Sequence, residues 1–110
     1  MSTNDSVFIS QHAIVRFRER SGFADIEQVS DANIREFVAK LLHRGREVLS
    51  SGIVKMRFEI IEASYRTDGE DKTLYFFIKP SSGNKKKKSV VTIFTKRQFG
   101  LWIQKLRFVQ

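Results

Sequence analysis

The apolar pattern at the start of the chain predicts a short strand followed by a helix. The triplet Val7–Ile9 is typical of a strand, and Ser10 behind it carries the side chain of a helix cap. We expect this helix to run through Arg20 and to end near Gly22, because glycine adopts the left-handed geometry of a helix end. Its buried side is predicted from the residues at helical spacing, Ala13, Ile14 and Phe17.

A second helix follows after a polar break. Ser30 or Asp31 is its predicted cap, and Gly45 is its predicted end. The apolar side of this helix consists of Ile34, Phe37, Val38, Leu41 and Leu42. A Ser-Ser-Gly turn is then expected at residues 50–52.

Beyond Ile53 the apolar period changes to the two-residue alternation of strands, with Val54, Met56, Phe58 and Ile60 on one side. The stretch Thr67–Asp71 is predicted to be a turn or loop, and Thr73–Lys79 a central strand. Pro80–Lys88 is predicted to be a loop, because its polar start and four lysines do not pack into a core. Ser89–Thr95 is predicted to be the next strand.

The last element predicted is a short helix that starts at Thr95. The sequence Thr95–Gln98 fits a capping box, and Phe99, Trp102, Ile103 and Leu106 follow at helical spacing, although Gly100 weakens that pattern. Two helices, consecutive strands and a final helix predict an α+β fold in which helices pack on one face of a mainly antiparallel sheet of three to five strands. The length of 110 residues fits one domain over residues 1–110.

Composition narrows the classes of function. The chain has no cysteine, which excludes disulfide scaffolds, zinc ribbons and thiolate nucleophiles and is compatible with the cytoplasm. The longest apolar run, Leu74–Ile78, is far too short to cross a membrane, and Met1–Ser6 does not resemble a signal peptide. No Walker motif, Rossmann glycine pattern or nucleophile elbow is present, and the two histidines lack an acidic cluster, so we expect neither a cofactor nor a metal.

The charge is unevenly distributed along the chain. Residues 1–71 contain 10 Lys and Arg against 12 Asp and Glu, whereas residues 72–110 contain 10 Lys and Arg and no acid. Such a segment is expected to attract a polyanion in a salt-dependent way. Nucleic acid is the first candidate partner, an anionic membrane or an acidic protein is the competitor, and added solubility is the simplest alternative.

One titratable and two cationic side chains are predicted on the same side of the first helix. His12, Arg16 and Arg20 are spaced by four residues, so each is rotated only about 40° from the one before. Guanidinium groups bind phosphate through paired hydrogen bonds, and histidine transfers protons near neutral pH. The pattern therefore indicates a phosphate site, with an ordinary solvated helix face as the alternative.

This segment also carries a resemblance. Ile9-Ser10-Gln11-His12-Ala13, followed by Arg16-Phe17 and Arg20, resembles the opening of a group of small bacterial and phage domains that read H-A-x-x-R-[MF]-x-x-R. These domains are similar to RelE-type toxins and to the wider barnase–colicin–RelE group of ribonucleases. The order of elements, and a last strand containing Val91–Ile93, extend the resemblance to most of residues 7–95.

The resemblance implies a RelE-like fold and a metal-independent endoribonuclease that needs no cofactor. In that chemistry His12 would be the acid or base, and Arg16 and Arg20 would hold the phosphate. Thr92 or Thr95 would orient the RNA, with Lys96 and Arg97 just beyond. Toxins of this kind imply an acidic, antitoxin-like protein partner. The sequence departs from the pattern in lacking an evident second proton-transfer residue.

The run Lys85–Lys88 is a separate signal, because flexible ammonium groups bind the phosphate backbone without reading sequence. A solvated loop is the alternative.

Two other functions also fit the same residues: a non-catalytic nucleic-acid-binding or phage-encoded regulatory protein, and an inhibitor that docks on an acidic protein. Substitution of His12 separates an enzyme from a protein that only binds.

Overall fold

The order of elements is that of an α+β fold, as predicted: a strand and two helices are followed by consecutive strands and a last helix. The computed structural model describes residues 7–48, 59–81 and 84–109. The elements in these ranges are β1 (Val7–Ile9), α1 (Gln11–Arg20), a 3-10 turn (Ile26–Gln28), α2 (Asp31–Arg44), β2 (Arg46–Glu47), β3 (Glu59–Thr67), β4 (Glu70–Ser81), β5 (Asn84–Thr95) and α3 (Lys96–Val109).

The five strands form a mixed sheet in the order β1-β5-β4-β3-β2. Neighbours from β2 to β5 are antiparallel, which confirms the mainly antiparallel sheet. β1 is the exception, because it pairs with β5 in parallel, with Val7 opposite Lys88 and Ile9 opposite Val90. The first strand of the chain therefore forms an edge of the sheet beside the last.

The helix ends lie where the sequence predicts them. The Ser10 hydroxyl accepts a hydrogen bond from the Ala13 amide at 3.1 Å, and the Ser30 hydroxyl accepts one from the Asn33 amide at 3.1 Å. Each bond satisfies an amide that has no partner within the first turn of its helix. After α1, Gly22 has a φ of +82°, a left-handed conformation that favours glycine.

The turn between β3 and β4 is tighter than the sequence suggests. The predicted turn is confirmed, but it is limited to Asp68 and Gly69, because β3 continues to Thr67 and β4 starts at Glu70. Both of these residues have positive φ, at 51° and 77°, as in the two-residue hairpin turns that follow the twist of antiparallel strands. The predicted turn at 50–52 and the strand residues 53–58 lie outside the described residues.

The predicted loop over Pro80–Lys88 is wrong for residues 80–81 and 84–88, the part of it that the structure describes. Pro80 lies on β4 opposite Lys88 on β5, and β5 begins at Asn84, so the lysine run belongs to a strand. The apolar halves of β4 and β5 pair in the core and set the register of the two strands. Backbone hydrogen bonds then continue in this register beyond the core, so the polar ends of both strands are paired as well. The sequence pattern detects only the part of each strand that is buried.

Helices cover both faces of the sheet, so the prediction that they lie on one face is wrong. The adjacent residues Phe76 and Phe77 point to opposite faces, yet they are only 0% and 3% exposed. On the first face, Phe76 packs in a cluster with Ile14, Phe17, Ile34, Val38 and Leu41 of α1 and α2. On the second face, Phe77 packs in a smaller cluster with Ile60, Tyr75, Phe94, Phe99 and Trp102, of which the last two belong to α3.

Candidate nucleic-acid interface

The three residues predicted on one side of α1 face progressively closer to the protein interior along the helix. His12 is exposed, Arg16 is half-buried and pairs with Glu19 at 2.9 Å, and Arg20 reaches the sheet. The rotation of about 40° for every four residues explains the change, because it turns each successive side chain closer to the buried side of the helix. The three residues therefore share one side of α1, but only His12 and Arg16 face mainly outward.

Arg20 binds the protein itself. Its Nη1 donates to the carbonyl oxygen of Ile93 on β5 at 2.6 Å, and its guanidinium lies 6.0 Å from the ring centre of Phe94. β1 pairs with β5 only as far as Val90, so Arg20 satisfies a carbonyl further along the same strand. Burial, followed by the nearby charge of Arg16, lowers the pKa of Arg20. These contacts give Arg20 a structural role at the end of β5.

We expect Arg20→Ala to lower the free energy of unfolding by about 1–2 kcal/mol, because a charged donor to a part-buried carbonyl is lost. Arg16→Ala is the matched control, since its exposed ion pair with Glu19 contributes about 0.5 kcal/mol or less. Urea denaturation of both variants measures the difference. Equal effects of the two substitutions would contradict the structural role of Arg20.

The lysines of the run Lys85–Lys88 differ in their surroundings. The backbone of Lys85 and Lys86 lies on β5, Lys87 is exposed, and Lys88 donates to the carboxylate of Glu59, with an Nζ–Oε2 distance of 2.7 Å. Lys88 is therefore neutralised within the protein. Lys87 is the member of the run that presents a described, exposed ammonium group.

The other predicted residues follow Lys88 along the chain: Thr92 lies about 13 Å further along β5, and Thr95 lies about 23 Å further, at the end of the strand. Thr92 is half-buried opposite Phe77. Thr95 caps α3, because its hydroxyl accepts from the Gln98 amide at 3.2 Å while the Gln98 side chain accepts from the Thr95 amide at 2.9 Å. This confirms the capping box, and the Thr95 side chain is thereby engaged in helix formation.

Lys96 and Arg97 form the first turn of α3 and are both exposed. Within the described ranges, neither side chain has a hydrogen bond or a salt bridge. The structure therefore brings Arg20, Thr95 and Lys96 to the same end of β5. His12 lies in the first turn of α1, which begins beside Val90, since the hydroxyl of the cap Ser10 donates to the Val90 carbonyl at 2.9 Å.

A polar network near the start of α3 was not found from the sequence. The Tyr75 hydroxyl donates to Glu62 Oε2 at 2.6 Å, and Arg46 Nη2 lies 2.8 Å from Glu62 Oε1. Burial, followed by the bond to Glu62, raises the pKa of Tyr75 to about 12. The bonds from Tyr75 and Arg46, with a smaller contribution from the charge of Lys96, lower the pKa of Glu62.

These shifts keep Tyr75 protonated and Glu62 ionised throughout the neutral range, so neither group exchanges a proton readily at pH 7. The network links β2, β3 and β4 instead. The only sequence signal for it is the cross-strand pairing of Glu62 with Tyr75, which is visible once the register of β3 and β4 is known.

Among the described residues, no three His, Asp or Glu side chains gather closely enough to hold a metal ion. No helix in the same part of the chain is long and apolar enough to span a membrane. Comparisons with protein-family models, curated proteins and solved structures find no match to this chain, so the RelE-like resemblance stays a prediction.

Proposed function

We propose that this protein is a cytoplasmic RNA-binding protein that contacts the phosphate backbone through exposed cations of β5 and α3. We call these four residues the basic surface: Lys87, Lys96, Arg97 and Lys105. Lys87 lies near the start of β5, and the other three lie on α3. The observation that carries the proposal is that none of the four has a salt bridge or a side-chain hydrogen bond to another described residue. Four arginines before residue 71 are instead paired with carboxylates, namely Arg16, Arg18, Arg46 and Arg66.

The difference in pairing matters because a cation that forms no salt bridge remains available to an external anion, although the charge of Lys96 also acts weakly on Glu62. Residues 72–110 supply no carboxylate to compete for these side chains. Lysine ammonium groups act as point charges on phosphate and carry no base-specific information. We therefore expect binding that depends strongly on salt and weakly on nucleotide sequence.

The test compares two doubly substituted proteins with the same change in net charge. Lys96→Gln with Arg97→Gln removes two cations from the basic surface, and Lys40→Gln with Arg44→Gln removes two exposed cations from α2 on the first face. Affinity for a labelled single-stranded RNA is measured by fluorescence anisotropy at several KCl concentrations. If each removed cation contacts one phosphate, the slope of log K against log salt becomes shallower by about 1.4 for the first variant.

The α2 variant is expected to keep the slope of the unsubstituted protein. Equal losses in both variants would show that net charge, and not the basic surface, determines binding. Binding that survives nuclease treatment and moderate salt would instead indicate an acidic protein as the partner of these cations.

Metal-independent RNA cleavage is the second candidate function, and the exposure of His12 one turn from Arg16 favours it. The same RNA is incubated with the protein in EDTA and then analysed for length. Cleavage that disappears in His12→Ala while binding is kept would assign proton transfer to this residue. Intact RNA that is nonetheless bound would leave the protein as a non-catalytic binder.

A further inference from the structure

A cavity of about 440 Å³ lies on the first face of the sheet, away from α3. It is open to solvent and is bordered by α1, the segment that follows it, α2 and the turn between β3 and β4, with Asp25 and Asp68 exposed at its border. Its volume falls in the range of small-molecule sites in proteins, roughly 300–1,000 Å³. The apolar residues that line it include Phe17, Phe23, Ile26, Val29, Ile34 and Phe37.

Three of these phenylalanines form a continuous aromatic wall. Phe23 lies 5.5 Å from Phe37 in an edge-to-face arrangement and 6.3 Å from Phe17, and Phe17 lies 5.9 Å from Phe37. Behind them, Tyr65 stacks on Phe23 at 5.3 Å, and its hydroxyl donates to the carbonyl oxygen of Ser21. The wall is therefore held in place by packing before any ligand enters.

Two carboxylates also line the cavity, Asp25 and Asp68. Neither has a hydrogen bond or a salt bridge to any residue that the structure describes. Asp31 and Asp71 differ from these two, because Asp31 pairs with Arg18 at 2.6 Å and Asp71 pairs with Arg66 at 3.3 Å. In a protein with a net charge of +8, two unpaired carboxylates at one apolar cavity are an arrangement that attracts a cation.

We propose that this cavity binds a small organic cation, in which an aromatic or branched aliphatic body contacts the phenylalanine wall and an ammonium group lies beside Asp25 and Asp68. Apolar burial favours the body of such a ligand, and the ring faces attract its positive charge. An anion of the same shape is repelled by the two carboxylates. The site is independent of RNA binding, because its lining includes no residue of β5 or α3.

The test uses three probes that share a phenyl ring and differ in charge: 2-phenylethylammonium, 2-phenylethanol and 3-phenylpropionate. Each is titrated into the full chain, and the amide chemical shifts of residues 22–29 and 37 are followed by NMR. We expect saturable shifts with the ammonium and the alcohol. The affinity for the ammonium is expected to be about tenfold higher than that for the alcohol. The propionate is expected to bind most weakly.

Asp25→Asn with Asp68→Asn is expected to bring the cation and the alcohol to within about twofold of each other. Glu19→Gln with Glu47→Gln is the matched control, since it removes two exposed carboxylates outside the cavity and should preserve the preference. The fluorescence of Trp102, which belongs to the cluster on the second face, verifies that each variant is folded.

Three results would overturn the proposal: no saturable shift with any probe, equal affinity for the three probes, or the same loss of preference in both double variants. Each of these outcomes leaves the proposed RNA binding unaffected, because that proposal is tested by residues on α3. Loss of RNA binding in the α3 variant, likewise, leaves the cavity test intact.

Discussion

Phe76→Ala and Phe77→Ala are each expected to lower the free energy of unfolding by about 3–5 kcal/mol, the usual cost of removing a buried aromatic ring. Phe76 is 0% exposed in the cluster beneath α1 and α2, and Phe77 is 3% exposed beneath α3. A domain of this size has a total stability of about 5–15 kcal/mol, so either variant approaches the limit of folding. Urea denaturation followed by circular dichroism measures both effects.

Phe8→Ala is the control for this pair, because it deletes the same ring from a side chain that is 60% exposed on β1. Its expected effect is within about 0.5 kcal/mol. If Phe77→Ala behaved like Phe8→Ala, the packing of α3 on the second face would be incorrect. If only Phe76→Ala had a large effect, the result would indicate that helices cover one face of the sheet, as the sequence pattern predicts.

Gly45→Ala is expected to destabilise the protein by about 1–3 kcal/mol through overpacking. A Cβ atom at residue 45 would overlap Cγ2 of Ile61 and lie 3.0 Å from the Glu62 carbonyl oxygen. Its φ of −73° is accessible to alanine, so the cost is one of space and not of backbone strain. The end of α2 approaches β3 so closely that no side chain fits between them.

Gly100→Ala provides a control with the opposite sign. Gly100 lies within α3, and a Cβ atom there would have no neighbour within 4 Å in the described structure. Alanine is therefore expected to stabilise the helix by about 0.5–1 kcal/mol, since glycine loses more conformational freedom on folding. Thermal unfolding of the two variants should show melting temperatures that shift in opposite directions, and a neutral Gly45→Ala would contradict the close approach of α2 to β3.

The sequence predicts those parts of the fold that depend on neighbouring residues. The caps at Ser10, Ser30 and Thr95 are local, because each side chain bonds to an amide three residues away. The pairing of β1 with β5 connects residues about 80 positions apart and leaves no periodic signal. The adjacent aromatic residues Phe76 and Phe77 are consistent with burial on either face, so the position of α3 follows only from the three-dimensional packing.

The features of the candidate site that depend on neighbouring residues are likewise predictable from the sequence, and those that depend on distant contacts are not. Helical spacing correctly places His12, Arg16 and Arg20 on one side of α1, but it gives no indication that Arg20 binds the Ile93 carbonyl. That contact depends on where β1 ends beside β5. The cavity between α1 and α2 was also beyond sequence reasoning, because its aromatic wall comes from separate segments that appear simply as core residues.

The parallel pairing of β1 with β5 has a consequence for synthesis of the chain from its N-terminus. Ala13, Ile14 and Phe17 of α1 are buried in a cluster that also includes Val90 and Ile93 of β5. At about 5–20 residues per second, roughly 4–15 s separate the translation of Phe17 from that of Ile93. During this interval the apolar side of α1 lacks a part of the sheet on which it packs, so the growing chain is exposed to aggregation and to chaperone binding until β5 emerges.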